Sequence, residues 1–120
     1  MATKKTEHVN PVTLTDNDSG EVFTLDFNRE SATFAENHGF RIADVGEKLV
    51  SGPADLFFYA FRANHRRVTR HYTDRLMDKM GGLAPELLSR LVDLFLQVVS
   101  THSIADEDGS EKNSSVTVEL

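Results

Sequence analysis

Cysteine is absent from the chain, which excludes a disulfide framework, a thiolate metal site and a cysteine nucleophile. Other frames that catalysis relies on are missing as well. The histidines stand at positions 8, 38, 65, 71 and 102, and no two have the i, i+4 spacing that sets both imidazoles on one helix face for zinc. There is no G-x-S-x-G elbow to present a serine nucleophile. Gly81-Gly82 is followed by Leu83-Ala84-Pro85, without the lysine a Walker loop needs to reach phosphates. The expectation is a non-enzymatic protein that uses no metal and no cofactor. Long apolar runs are lacking too: none approaches the ~20 residues that cross a bilayer, and no apolar signal core follows the polar start from Met1 to Lys5. The chain is therefore expected to have no membrane partner and to stay where it is made, a reducing cytoplasm being compatible with the lack of cysteine.

What is present has the balance of an ordinary globular domain. The chain has 120 residues, 39% hydrophobic and 27% charged, a length that suits one core rather than two. A formal charge of -6 argues against general affinity for nucleic acid, which comes from neutralising phosphates with Lys and Arg. One segment departs from that average: Arg62, Arg66, Arg67, Arg70, Arg75 and Lys79 outnumber Asp74 and Asp78, with His65 and His71 interleaved. A solvated turn between helices is the favoured reading of this segment. A phosphate-contacting face and a dock for an acidic partner segment, including the chain's own tail, stay open beside it.

The pattern predicts an α+β fold, an N-terminal β-hairpin packed on about four α-helices. Residues 12–15 and 22–27 flank Asp16-Asn17-Asp18-Ser19-Gly20, whose residue types tolerate turn geometry. In the second strand Phe23, Leu25 and Phe27 share one face. Asn28 is expected to cap a helix over 29–38 that Gly39 ends, with Phe40 folding back on Phe34 or Ala35. Asp44 and Glu47 have capping-box-like spacing within the weakly patterned stretch 41–52. Pro53 is placed at a first helical position, opening a helix to about residue 65. Thr69 caps a helix to about Met80, ended by Gly81-Gly82, and Pro85-Glu86 opens the last one. Residues 1–11 are expected as a flexible lead, 12–103 as the domain, and 104–120 as a mobile acidic tail, in which Val116-Thr117-Val118-Glu119-Leu120 alternates like a strand.

Two stretches hold more apolar surface than one stripe explains. Leu56-Phe57-Phe58-Tyr59-Ala60-Phe61 spreads around the whole circumference of its helix, so that helix is nearly enclosed or part of Leu56, Phe58 or Tyr59 lines a groove for an amphipathic helix. In the last helix Leu87, Leu88, Leu91, Val92, Leu94, Phe95, Val98 and Val99 form one broad face, with Ser89, Arg90, Asp93, Gln97 and Ser100 opposite. That face exceeds the ~100° of a helix resting on one core.

The hairpin ending in an aromatic, then Asn28-Arg29-Glu30-Ser31, Glu36, Gly39-Phe40 and the LFFYAF helix, together resemble the small tail assembly chaperones of long-tailed, siphophage-type bacteriophages, over roughly residues 23–103. Members carry an Arg-x-Ser segment, a glutamate, a Gly-Phe pair, a Leu-Phe-x-x-Ala-Phe-like helix, two further helices and an acidic tail. The longer polar start and the more basic stretch from Arg66-Arg67 to His71 depart from that pattern. The resemblance implies a late protein in the host cell cytoplasm, absent from the mature virion, that binds the tape measure protein and keeps it soluble while the tail tube protein polymerises, with self-association as a further option. The residues expected to meet the partner are Leu56, Phe58, Tyr59, Phe61, Arg66, Arg67, Arg70, Leu88, Val92, Phe95 and Val99. Rival readings are a structural tail or assembly-scaffold component, and a nucleic-acid-binding regulator using Arg66, Arg67 and Arg70.

Overall fold

In the computed structural model, which describes residues 8–103, two strands are followed by helices in the order β1 (Val12–Asp16), β2 (Glu21–Leu25), α1 (Arg29–Asn37), α2 (Asp44–Glu47), α3 (Ser51–Phe61), α4 (Arg70–Met80) and α5 (Pro85–Ser103). The α+β arrangement is the one the patterning leads to. The expectations for residues 1–7 and for the acidic segment 104–120, with its Val116 to Leu120 alternation, lie outside the described residues.

β1 and β2 pair antiparallel with Leu14 opposite Phe23 and Val12 opposite Leu25, so the side chains of 12, 14, 23 and 25 share the face turned to the helices. β2 ends at Leu25 rather than residue 27. The Asp26 amide leaves the ladder and donates to the Ala60 carbonyl of α3 at 3.0 Å, which ties the sheet to the helix beneath it. Phe27 remains buried. In the described part of the lead into β1, the Val9 amide donates to Gln97 Oε1 at 2.7 Å, and Arg90 donates to the Asn10 carbonyl at 3.2 Å, both from α5.

α1 begins with a capping box. Asn28 Oδ1 accepts the Ser31 amide at 2.8 Å, and Ser31 Oγ accepts the Asn28 amide at 2.9 Å, satisfying amides that no helical carbonyl reaches, an arrangement worth ~0.5–2 kcal/mol. At its other end Gly39 takes φ +90°, and the Gly39 and Phe40 amides donate to the Glu36 and Ala35 carbonyls, the paired closure that a left-handed residue permits. The Phe40 ring then meets Tyr59 and Phe95, at 5.7 and 5.5 Å.

α3 starts two residues before Pro53 and stops at Phe61 rather than near residue 65. Proline at the third position still costs no helical bond, because the first amides of a helix have no carbonyl to reach. After Phe61 the chain turns, and the His65 amide caps the Phe61 carbonyl at 2.7 Å. Thr69 caps α4 through its hydroxyl, which accepts the Tyr72 amide at 3.1 Å, and the Gly81 and Gly82 amides close the other end on Asp78 and Met77.

The core gathers around α3. Leu56, Phe57, Ala60 and Phe61 are buried together with Phe23, Leu25, Phe27, Phe40, Leu76, Leu91, Leu94 and Phe95. Its aromatic rings meet edge to face, Phe57 on Phe61 at 5.2 Å and 90° and Phe27 on Phe95 at 5.2 Å and 86°, each such pair adding ~0.5–1.5 kcal/mol beyond its buried area. The enclosed helix expected from the LFFYAF run is thus the centre of the fold.

Candidate partner-binding surface

Four of the residues expected to meet a partner are spent on the chain's own core. Leu56, Tyr59, Phe61 and Phe95 are buried, so no groove opens along them. The reason is the cover laid over them by the hairpin, the segment after it and α1: Phe23 packs edge-on against Phe61 at 5.2 Å, Phe27 covers Phe95, and α1 brings Phe34 to within 6.0 Å of Tyr59. Phe58 is half-buried, with the Arg70 guanidinium 6.0 Å above its ring.

Half of the basic segment's Arg and Lys side chains are answered by carboxylates within the fold. Arg66 pairs with Glu30, Arg70 bridges Asp55 at 2.8 Å and Asp74 at 2.9 Å, and Lys79 bridges Asp16 and Asp18, each at 2.8 Å. Arg62 lies 3.8 Å over the Phe34 ring, a cation–π contact that leaves its buried Nε without a hydrogen bond. Among the described residues, Arg67 and Arg75, like Arg62, have no carboxylate partner. Pairing of the others is what a solvated, structural turn would show; phosphates would compete with Glu30, Asp55 and Asp74 for them. An open cleft of about 440 Å³ beside β2 is lined by Phe23, Asn64, His65, Arg66 and Arg67 among others.

The apolar surface that remains outside lies elsewhere. On α5, Leu88 and Val92 are half-buried, while Leu96 is 41% and Val99 39% exposed. Positions 88, 92, 96 and 99 follow i, i+4, i+8, i+11, so they form one stripe along the helix. Leu96 was not among the expected residues. Its place one turn beyond Val92 was the available signal, and the breadth of the apolar face hid it.

A second outlet is the tip between α2 and α3, where Leu49 is 76% and Val50 86% exposed. The expected Asp44 cap does not form; Ala43 stands at that position without a side-chain bond. Asp44 instead reaches back, accepting from the Arg41 amide at 3.3 Å and the Arg41 guanidinium at 2.8 Å, and that guanidinium also holds Glu47 at 3.1 Å. Burial alone would raise the Asp44 carboxyl, but these bonds hold it below its ordinary value. The Lys48 amide donates to the Asp44 carbonyl and the Gly52 amide to the Lys48 carbonyl, each at 2.7 Å. Gly52 sits so close to Asp44 that a Cβ would lie 2.1 Å from its carbonyl oxygen. A tip clamped this way displays its two aliphatic side chains rather than folding them under.

Between the hairpin turn and α4, Asp16 is buried and accepts from the Tyr72 hydroxyl at 2.5 Å, Lys79 Nζ at 2.8 Å and the Asp18 amide at 3.1 Å. The Lys79 bond first, then Tyr72, holds its carboxyl down at about 2 against the opposing effect of burial. Tyr72 moves up, by burial and then by that bond. Among the described residues no group of three or more His, Cys, Asp or Glu is placed to hold a metal ion, and no helix is long and apolar enough to cross a membrane.

The sequence matches, over residues 1–120, the family described as Domain of unknown function (DUF5055). No curated protein and no solved structure matches the chain.

Proposed function

We propose that this chain, which belongs to the DUF5055 family, is a non-enzymatic assembly chaperone that shields an amphipathic helical segment of another polypeptide, the tape measure protein of a long-tailed bacteriophage. The observation that supports this reading is the stripe Leu88, Val92, Leu96 and Val99, left outside after the core has closed. It runs for about 16 Å at 1.5 Å per residue. A helix laid along it would present its own anchors at i, i+3, i+4, i+7 spacing. The clamped Leu49-Val50 tip offers a second apolar contact that folding does not use.

The phage assignment rests on the sequence resemblance, and the residues that carry the resemblance have structural jobs here. Asn28 and Ser31 form the capping box, Gly39-Phe40 closes α1, and the LFFYAF run fills the centre. They support a shared scaffold, while binding falls to the α5 stripe. Each copy offers a modest patch, so shielding a long helical chain calls for several copies along its length.

Coexpression with a candidate tape measure protein tests the reading. The partner is expected in the soluble fraction with this chain and in the insoluble fraction without it, and with the Leu96→Glu, Val99→Glu double variant it should return to the insoluble fraction. Equal partner solubility with and without the chain rejects the chaperone role. A double variant that solubilises as well as the parent rejects α5 as the surface.

A further inference from the structure

The Thr24 amide donates to His65 Nε2 at 2.9 Å, and its carbonyl accepts from Asn64 Nδ2 at 3.2 Å, so the main-chain groups of Thr24 face away from β1. In an antiparallel ladder, opposed residues face towards each other or away from each other as pairs, in alternation along the strands. Thr13 opposes Thr24 and Thr15 opposes Val22, so Thr13 and Thr15 turn their N–H and C=O groups outward from β1. On β2 the turn after α3 covers this side at Thr24. On β1 no described residue bonds these groups outside the ladder, and both threonine side chains are exposed.

Natural sheets guard such edges with proline, lysine, inward charge or a bulge. Here the guards stand only at the two ends, Pro11 before the strand and the inward Asp16, held by Lys79, at its close; Val12-Thr13-Leu14-Thr15 between them has none. Below the edge lies an open cleft of about 470 Å³ whose apolar lining is Leu14, Leu76 and Met80.

We propose that β1 is a self-association edge, joining a second copy of this chain antiparallel about a two-fold axis at Leu14 into a four-stranded sheet. The register is self-complementary. It sets Thr13 opposite the second copy's Thr15 and the reverse, so each outward residue meets an outward residue and both of its groups are bonded. Leu14 then faces its own counterpart in the closer, non-bonded type of pair, with Cα atoms ~4.5 Å apart, over Leu76 and Met80. Such an interface is isologous, using the same patch twice. A five-residue edge buries less than the ~1,200–2,000 Å² of a stable complex, so the dimer forms by a concentration-dependent equilibrium.

Sedimentation of the full chain from micromolar to near-millimolar concentration tests it. A reversible monomer–dimer equilibrium is expected, weakened about tenfold or more by Thr15→Pro, which removes an N–H that the hairpin does not use. Circular dichroism checks that this variant keeps its helices. Because the chain has no cysteine, Leu14→Cys supplies an independent reading: mild oxidation should link copies through the close pair, with Val22→Cys on the other strand remaining largely unlinked. A chain monomeric throughout, a dimer that folded Thr15→Pro leaves unchanged but Leu96→Glu abolishes, or equal linking at both cysteines overturns the proposal.

Discussion

Asp16 shows how a residue type that reads as turn chemistry in the sequence becomes a structural anchor. Facing the core side of β1, its carboxylate would be costly to bury alone, and Lys79, Tyr72 and the Asp18 amide all bond it. Its folded value of about 2 lies below the ordinary 3.8. The sign follows: a depressed carboxylate contributes stability that is fully present above its unfolded value and is lost as pH falls through the folded one. The contribution should therefore be complete above about pH 4 and fade towards about pH 2. Urea unfolding at about pH 5 and about pH 3 checks this. Asp16→Asn, uncharged throughout, should be less stable than the parent at the higher pH and lose less on acidification; an equal loss in both proteins would remove Asp16 from the account. Gly52 is a steric rather than an electrostatic anchor. Gly52→Ala drives a Cβ into the Asp44 carbonyl, so the tip must shift, at a cost of roughly 1–3 kcal/mol read as a lowered urea midpoint.

Individual elements were legible to different depths. The hairpin, the Asn28 and Thr69 caps and the Gly39 and Gly81-Gly82 stops follow from local chemistry, and all are found. Ser31 completing the capping box went unnoticed because the usual third-position signal is Glu or Gln. The ends of β2 and α3 were set by long-range bonds, Asp26 to Ala60 and Thr24 to His65, which local patterning does not contain. The same limit applied to the surface. Phe95 and Leu96 are adjacent large apolar positions in the sequence, and it is the arrival of Phe27 and Phe40 over Phe95 that separates a core residue from an exposed one. This contrast is testable on α5. Leu96→Glu with Val99→Glu should change unfolding free energy by less than ~1 kcal/mol, whereas Leu94→Ala, removing a fully buried side chain, should cost ~2–5 kcal/mol. A large loss in the double variant would mean that the stripe belongs to the fold rather than to a partner.

At the scale of the whole molecule, the sheet and the helices have no separate means of standing. A two-stranded hairpin is marginal in water, and here its Phe23 and Leu25 complete the core that α3 centres. The helices depend on it in return: without it Phe61 loses one of its edge-on neighbours, Phe23, and Asp16 no longer anchors Tyr72 and Lys79 of α4. One cooperative transition is the expectation, as for most small domains. The chain has no tryptophan and two tyrosines, Tyr59 within α3 beside Phe34 and Phe40 and Tyr72 on the hairpin's Asp16, so tyrosine fluorescence reports on side-chain packing, at the sheet–helix junction through Tyr72, while circular dichroism reports on the helices. Both should trace the same urea transition. Leu25→Ala, a truncation in the sheet, should shift the two curves together by ~2–5 kcal/mol. If fluorescence moved to lower urea and the helix signal stayed in place, the hairpin would be a detachable cover, and the apolar residues beneath it, Phe61 and Phe95 among them, would again be available to a partner.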